Sequence, residues 1–334
     1  MNAKLLVIDA REGLRHILRE ALIDVLRPGD LVVANDAATL PASLQGTHVR
    51  TGEPIEVRLA GRRSLSTDLA DFSAVVFGAG DFRTRTEDRT HPPSLAPGDA
   101  LVLGPLPATI TALLGHARLI SLHFDGTTDE IWSGIAHHGR PVQYAHVPTP
   151  LALWDVWTPI ANPPVAFEPP SAGFALDWQM IAALRARNIG FATITHAAGI
   201  SSTGDAELDR RLPFDEPYDV PLSTAGAITR ARSKGGRIIA IGTTVVRALE
   251  HSAGRDGLVH AGRGIATEHV GPGTRLRVVD AILTGVHERG TSHYELLRAF
   301  ADDLTLSAAD EEIAAHGYRP HEFGDSVLVI PAGL

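Results

Sequence analysis

Three short strings carry the side chains best suited to chemistry. IGTTVVRALE at 241–250 sets Gly242, Thr243 and Thr244 where a strand gives way to a helix, with Arg247 one turn further on. Free N–H groups at such a helix start suit a carboxylate or a ribose oxygen, and a guanidinium fork suits a carboxylate. Simple helix capping with a surface arginine is the plainer alternative. PPSAGF at 169–174 is stiff at Pro170 and small at Ala172 and Gly173. That makes it either a loop a flat ligand can approach closely or an ordinary interdomain connection. VVDAILTGVHERGTSHYELL at 278–297 places Thr284, His287, Thr291 and Ser292 after a strand, where ligands of α/β sheets bind. An imidazole titrates near neutrality, so His287 is a candidate for proton transfer; a solvated loop histidine is the alternative.

Other chemistries are excluded. There is no cysteine in the 334 residues, so disulfides, thiolate-bound metals and a cysteine nucleophile are ruled out. Of the 16 histidines, His287 with His293 and His316 with His321 are only loosely spaced pairs. They read as polar surface groups, and no metal is expected. VVFGAGDFR at 75–83 lacks the third glycine and the apolar helix of a dinucleotide loop. Neither a phosphate-binding GxxxxGK[ST] nor a GxSxG elbow is present.

The formal net charge of -9 argues mildly against a nucleic-acid partner. Two local basic clusters stand out, Arg58, Arg62 and Arg63, then Arg83, Arg85 and Arg89, the second interleaved with Asp81, Glu87 and Asp88. No apolar run approaches the roughly 18–20 residues of a membrane span. The opening MNAKLLVIDA lacks the apolar core of a secretory signal. A cytoplasmic protein without a membrane partner is expected.

The elements that must position these residues follow from periodicity. A strand at 5–8, a helix over Leu14–Leu26 and a strand from Leu31 begin the chain. From about 45 to 143, short β-rich runs separated by Gly, Pro and Asp indicate an antiparallel barrel, with a helix disfavoured by Pro92, Pro93 and Pro97. Beyond that, helices and strands alternate. Asp177 caps a helix from Trp178, RIIAI and VVDAILTGV are buried strands, and Ser307 with Asp310 resembles a capping box for the last helix. The expected fold class is α/β, a mostly parallel sheet with helices on both faces, formed by 1–44 and 144–334. Residues 45–143 form the inserted antiparallel β-barrel domain.

Taken in order, RPGDLVVANDAATLPASLQG, PPSAGF, IGTTVVRALE, VVDAILTGVH with TSHYELLRAFA, and HGYRPHEFGDSVLVI resemble the S-adenosylmethionine:tRNA ribosyltransferase-isomerase family of queuosine biosynthesis. The resemblance implies ribosyl transfer and isomerisation, with S-adenosylmethionine as co-substrate and no resident cofactor. It implies donor binding by Pro170, Ala172, Gly173, Gly242, Thr243, Thr244 and Arg247, with Asp36 and Thr284 as further substrate-binding candidates. His287 and Asp280 are the catalytic candidates. The chain departs from the family pattern at Ala37, Ala38 and Ser43, where a threonine and two arginines are usual. It departs again at Phe174–Leu176, where a histidine is lost, and at Thr195, whose histidine is displaced to His196. Loss of arginines disfavours a polyanionic acceptor, so tRNA is a doubtful partner. A small-molecule acceptor, or a non-catalytic nucleoside-binding protein, is the alternative.

Overall fold

The computed structural model describes residues 3–66, 70–320 and 323–332. The chain begins with a hairpin, β1 (Lys4–Asp9) and β2 (Gly13–Leu18), then a short α1 (Leu22–Val25) and β3 (Leu31–Asn35). The helix expected over 14–26 is therefore largely a strand. The Asp9 carboxylate accepts the N–H groups of Arg11 and Glu12, and Gly13 sits at a φ of +84°. This turn folds the chain back before helical spacing can act.

β4 (Ala38–Thr39) leads into β5 (Ser43–His48), β6 (Pro54–Gly61), β7 (Asp71–Phe77), β8 (Ala100–Leu103), β9 (Leu106–His116) and β10 (Leu119–Phe124). The six strands from β5 to β10 close into an antiparallel barrel in the order β10-β7-β6-β5-β8-β9. Its closure removes the exposed edges a small sheet would leave. α2 (Thr128–His138) follows, a helix not anticipated in this region. Thr127 and Glu130 form a complete capping box at its start. The prolines at 92–97 lie well upstream of it.

The remaining elements are β11 (Pro164–Ala166), α3 (Trp178–Ala186), β12 (Gly190–His196), α4 (Ala206–Asp209), β13 (Glu216–Val220), α5 (Leu222–Ser233), β14 (Ile238–Ile241), α6 (Thr243–Ser252), β15 (Gly262–Ala266), β16 (Ala281–Gly285), α7 (Ser292–Leu297), α8 (Asp303–Ala315) and β17 (Ser326–Ile330). α8 is capped by Asp302, not by the Ser307–Asp310 pair. Those two instead receive the Arg289 guanidinium from the helix side.

A nine-stranded sheet runs β15-β13-β12-β3-β14-β16-β17-β1-β2. It is mixed rather than mostly parallel. β12, β3, β14 and β16 run parallel, but β17 reverses against β16. Hairpin-like neighbours add antiparallel edges at β13, β15 and β2. Every residue of β3 is buried, because apolar layers cover both faces. Leu31 and Val33 pack on the side of α5 and α6, with Val245 and Leu249. Val32 and Ala34 pack on the side of α3, with Met180 and Leu184. Among the described residues no helix is long and apolar enough to cross a membrane.

The two basic clusters divide by burial, the first lying largely on a covered outer wall of the barrel, on the face opposite Leu44 and Val57. Arg58 is only 1% exposed and Arg62 and Arg89 are also buried. Arg58 and Arg89 both reach the buried Glu56 carboxylate, at 2.6 and 2.5 Å. They also flank the Phe77 ring, with Arg118 against it as well. These arginines offer little to an outside partner. Arg83 and Arg85 remain exposed, each paired with a neighbouring acid.

Candidate active site

The carboxyl ends of the central parallel strands open onto a two-part cleft. The inner chamber, about 80 Å³, is lined by Pro170, Ala172, Gly242, Thr243, Thr244 and Arg247, with Thr284 and His287 opposite. It continues into an outer chamber of about 630 Å³, bounded by Tyr144 and His146, by Arg85–Glu87 from the barrel and by 285–288 after β16. Together they match the volume small-ligand sites need. Glu168, Ser201, His287 and His293 line both chambers.

Each wall has a local cause. Gly242 adopts a φ of +92° as the residue before α6 and has no side-chain cap. The first N–H groups of a ten-residue helix are thus left at the cleft. A turn of short helix at Ser171–Ala175 folds the proline loop over them, bringing Ala172 against Gly242. Gly173 does not line the cleft. It is buried, and a side chain there would press on Thr158. Thr284 at the end of β16 lies 2.7 Å from His287 Nε2. The His287 and His293 rings stack at 4.8 Å, so the loose sequence pair meets in space.

Two carboxylates complete the cavity. Glu168, 7% exposed, accepts hydrogen bonds from the Tyr144 hydroxyl and from the Ser201 N–H. Burial and the Glu168 charge push the Tyr144 phenol well above its ordinary value, so it stays a donor. Sequence reasoning missed Glu168; the only available signal was its place immediately before the proline loop. Glu216, on β13, accepts from the Gly199 N–H and from Arg247. Burial pushes its carboxyl up while Arg247 pulls it down.

Arg247 departs from expectation. It lines the cavity, but its donors are committed to Glu216 and to the carbonyls of Phe214, Ala266 and Glu268. It braces the wall and does not present an open fork to a ligand carboxylate. Behind that pair, His196 is wholly buried, 3.5 Å from Glu216. Burial and Arg247 hold the imidazole well below its ordinary value, so it is neutral. Because side chains alternate along β12, the one-residue displacement puts the imidazole on the opposite face. Thr195 faces the other way and donates to Asp36.

Asp36 lies outside both chambers, held by the hydroxyls of Thr193 and Thr195 at 3.0 and 2.7 Å. Burial still pushes its carboxyl up. Asp280 is not at the cleft either. It precedes β16, at the opposite, amino end of the strands, where its carboxylate accepts the Ile238 N–H at 2.7 Å. The four residues from Asp280 to Thr284 span about 13 Å. That separation removes Asp280 from any proton transfer in the cleft.

The family described as "Queuosine biosynthesis protein" matches residues 1–329. S-adenosylmethionine:tRNA ribosyltransferase-isomerase from Sorangium cellulosum (strain So ce56) is 34% identical, covering 98% of this chain and 92% of the relative. The protein of the same name from Methylobacterium sp. (strain 4-46) is 32% identical over 95% of this chain and 90% of its own. The crystal structure of S-adenosylmethionine tRNA ribosyltransferase from Thermotoga maritima superposes with a TM-score of 0.51 at 23% identity. It covers 98% of this chain and 93% of that one, a likeness of fold. With a family match running nearly end to end and full-length relatives above 30% identity, the chain belongs to the queuosine biosynthesis protein family.

Proposed function

We propose that the protein transfers the ribosyl unit of S-adenosylmethionine to tRNA and isomerises it, as a step of queuosine biosynthesis in the cytoplasm. One observation carries this proposal. The proline loop, the uncapped start of α6 and the Thr284–His287 pair, far apart in sequence, converge on one cleft with two buried carboxylates.

The chemistry sets the demands. The sulfonium acidifies the ribose C5′ protons, so a base positioned there can remove one. The C5′ carbanion closes onto C1′, where the acceptor amine also bonds as adenine and the ring oxygen leave that carbon. That oxygen then displaces methionine from C5′ as a neutral thioether, which keeps the sulfur–carbon electron pair. Of the protons lost by C5′ and the amine, one leaves on adenine and one passes to solvent. Glu168 is suited to the base, and its charge favours the sulfonium. Its Oε1 is fixed by the Tyr144 hydroxyl and the Ser201 N–H. His287, oriented by Thr284, is suited to protonate the departing adenine. The N–H groups after Gly242 suit the methionine carboxylate or the ribose oxygens. Pro170 and Ala172 offer a flat wall, and no resident cofactor is required.

The acceptor argument from missing arginines weakens on inspection of their positions. Ala37 and Ala38 are 1% and 2% exposed, and the Ser43 hydroxyl donates inward to Glu56. In this chain the two alanines face the interior and Ser43, half-buried, turns its hydroxyl to Glu56, which speaks against an outward phosphate contact there. Likewise Ala175, at the lost histidine, packs with Leu176 and Met180 on the α3 side of the sheet. This supports tRNA as the acceptor. Incubation with S-adenosylmethionine and tRNA bearing 7-aminomethyl-7-deazaguanine should release adenine and methionine only when the tRNA is present. Release without tRNA would favour a small-molecule acceptor. Donor binding with no release under any condition would make the protein a non-catalytic binder.

A further inference from the structure

Away from the cleft, at the far edge of the nine-stranded sheet, three side chains from opposite ends of the chain meet. His16 lies on β2, the edge strand, which pairs with β1. Glu312 is in the last turn of α8 and His316 immediately follows that helix, so the two share a face. Glu312 Oε2 is 3.0 Å from His16 Nε2 and 3.1 Å from His316 Nδ1. One potential ligand atom from each of the three residues lies within 4.8 Å of the others. The two imidazole rings approach to 3.9 Å between centroids, tilted by 30°. Sequence spacing pairs His316 with His321, which lies outside the described residues. The fold pairs His316 with His16 instead.

We propose that His16, Glu312 and His316 form a binding site for a divalent cation of the zinc class, with water completing the coordination. The spacing fits. Ligand bonds of about 2.0–2.1 Å in a tetrahedral site set neighbouring ligand atoms about 3.3 Å apart. Distances of 3.0 and 3.1 Å need open by only a few tenths of an ångström. Two imidazoles and one carboxylate suit zinc and its first-row neighbours, whereas magnesium and calcium prefer all-oxygen sites.

The surroundings fit as well. A metal-binding histidine commonly fixes its ring through the other nitrogen. His16 Nδ1 lies 3.0 Å from the hydroxyl of the buried Tyr318, which turns Nε2 toward Glu312. Solvent reaches all three ligands, with side-chain exposures of 31%, 41% and 50%, so an ion can enter. Two features oppose binding. His316 Nδ1 is also 3.0 Å from the Glu312 carbonyl oxygen, a contact given up if that nitrogen ligates. The Lys4 ammonium also bonds the carbonyls of His316 and Gly317 nearby. A bound ion would clip the edge strand β2 to the end of α8.

The test uses the full chain, stripped with chelator and free of any histidine tag. It is titrated with zinc chloride against a chromophoric competitor, and separately with cobalt chloride while the visible absorption is followed. Uptake of about one zinc per chain is expected, with a cobalt band of tetrahedral intensity. His16→Gln and His316→Gln should each weaken zinc binding by about a hundredfold or more, and Tyr318→Phe by about tenfold. Circular dichroism confirms that these variants at solvent-accessible ligands remain folded. No zinc uptake by the parent chain would overturn the proposal. So would undiminished uptake by a folded His16→Gln/His316→Gln double variant, which would assign the ion to other histidines.

Discussion

At the scale of single residues, the site divides into groups that face the cleft and groups that hold it open. Glu168 belongs to the first set. Glu168→Gln should lower kcat for adenine release by about 10²–10⁴-fold, the range for a lost general base. Donor affinity, read by calorimetry, should change far less; unchanged turnover would exclude Glu168 as the base. Arg247 belongs to the second set, its donors spent on Glu216 and three carbonyls. Arg247→Ala should cost about 3–5 kcal/mol of unfolding free energy in urea, because a buried carboxylate and several carbonyls lose their partner. A variant as stable as the parent would contradict the bracing role. Asp280→Asn should leave kcat/KM within about a factor of two, since the carboxyl sits at the wrong end of β16. The sequence made Gly242–Thr244, Thr284 and His287 legible because turn glycines, helix starts and strand ends announce themselves locally. Glu168, the pairing of Glu216 with Arg247 and the inward turn of Arg58 were opaque, since each depends on contacts between distant segments that no spacing records.

At the scale of elements, local signals succeeded where capping and burial agreed. Asp177 caps α3 as expected, and the apolar runs at 238–241 and 281–285 are buried strands. They failed where a turn outweighed periodicity, as at Asp9–Gly13, and where Thr127 with Glu130 opened α2 inside a region read as strands. The barrel offers an electrostatic test. Asp99, just before β8, takes a two-pronged bond from Arg50 at 2.8 and 2.9 Å, the Ala96 N–H at 2.8 Å and His48 at 3.0 Å. Arg50 first, then the Ala96 N–H and His48, hold this carboxyl far below its ordinary value, against the opposing effect of burial. A depressed value in the folded state stabilises wherever the acid is ionised in both states, and the gain fades as pH falls through the folded value. Asp99→Asn should therefore destabilise by about 1.5–3 kcal/mol at pH 7. The gap to the parent, followed by urea unfolding, should hold down to about pH 4 and narrow below it. A gap that widened on acidification would contradict the sign.

At the scale of the whole molecule, barrel and sheet share the cleft, so a ligand there binds only the assembled protein. S-adenosylmethionine should raise the melting temperature with concentration, adding about 2.7 kcal/mol at a hundred times its Kd. A melting temperature insensitive to the donor would count against the cleft as its site. The net charge is -9, and Arg85 and Arg247, the arginines among the described cleft-lining residues, are each paired with a glutamate. Binding of tRNA should thus lose little with salt, with a log–log slope shallower than about -3. Global layout was only half legible. The alternation of elements announced a helix-covered sheet and the β-rich run announced a barrel, but strand direction was not written locally. β17 shows why, since it lies parallel to β1 and antiparallel to β16. Its place between them has a consequence for synthesis on the ribosome. The barrel is a contiguous stretch that can close early, yet the β1–β2 hairpin has no seat in the sheet until residues 326–330 have emerged. The first strand made therefore waits for the last one described. A chain halted shortly before Ser326 would carry a finished barrel beside a sheet split in two.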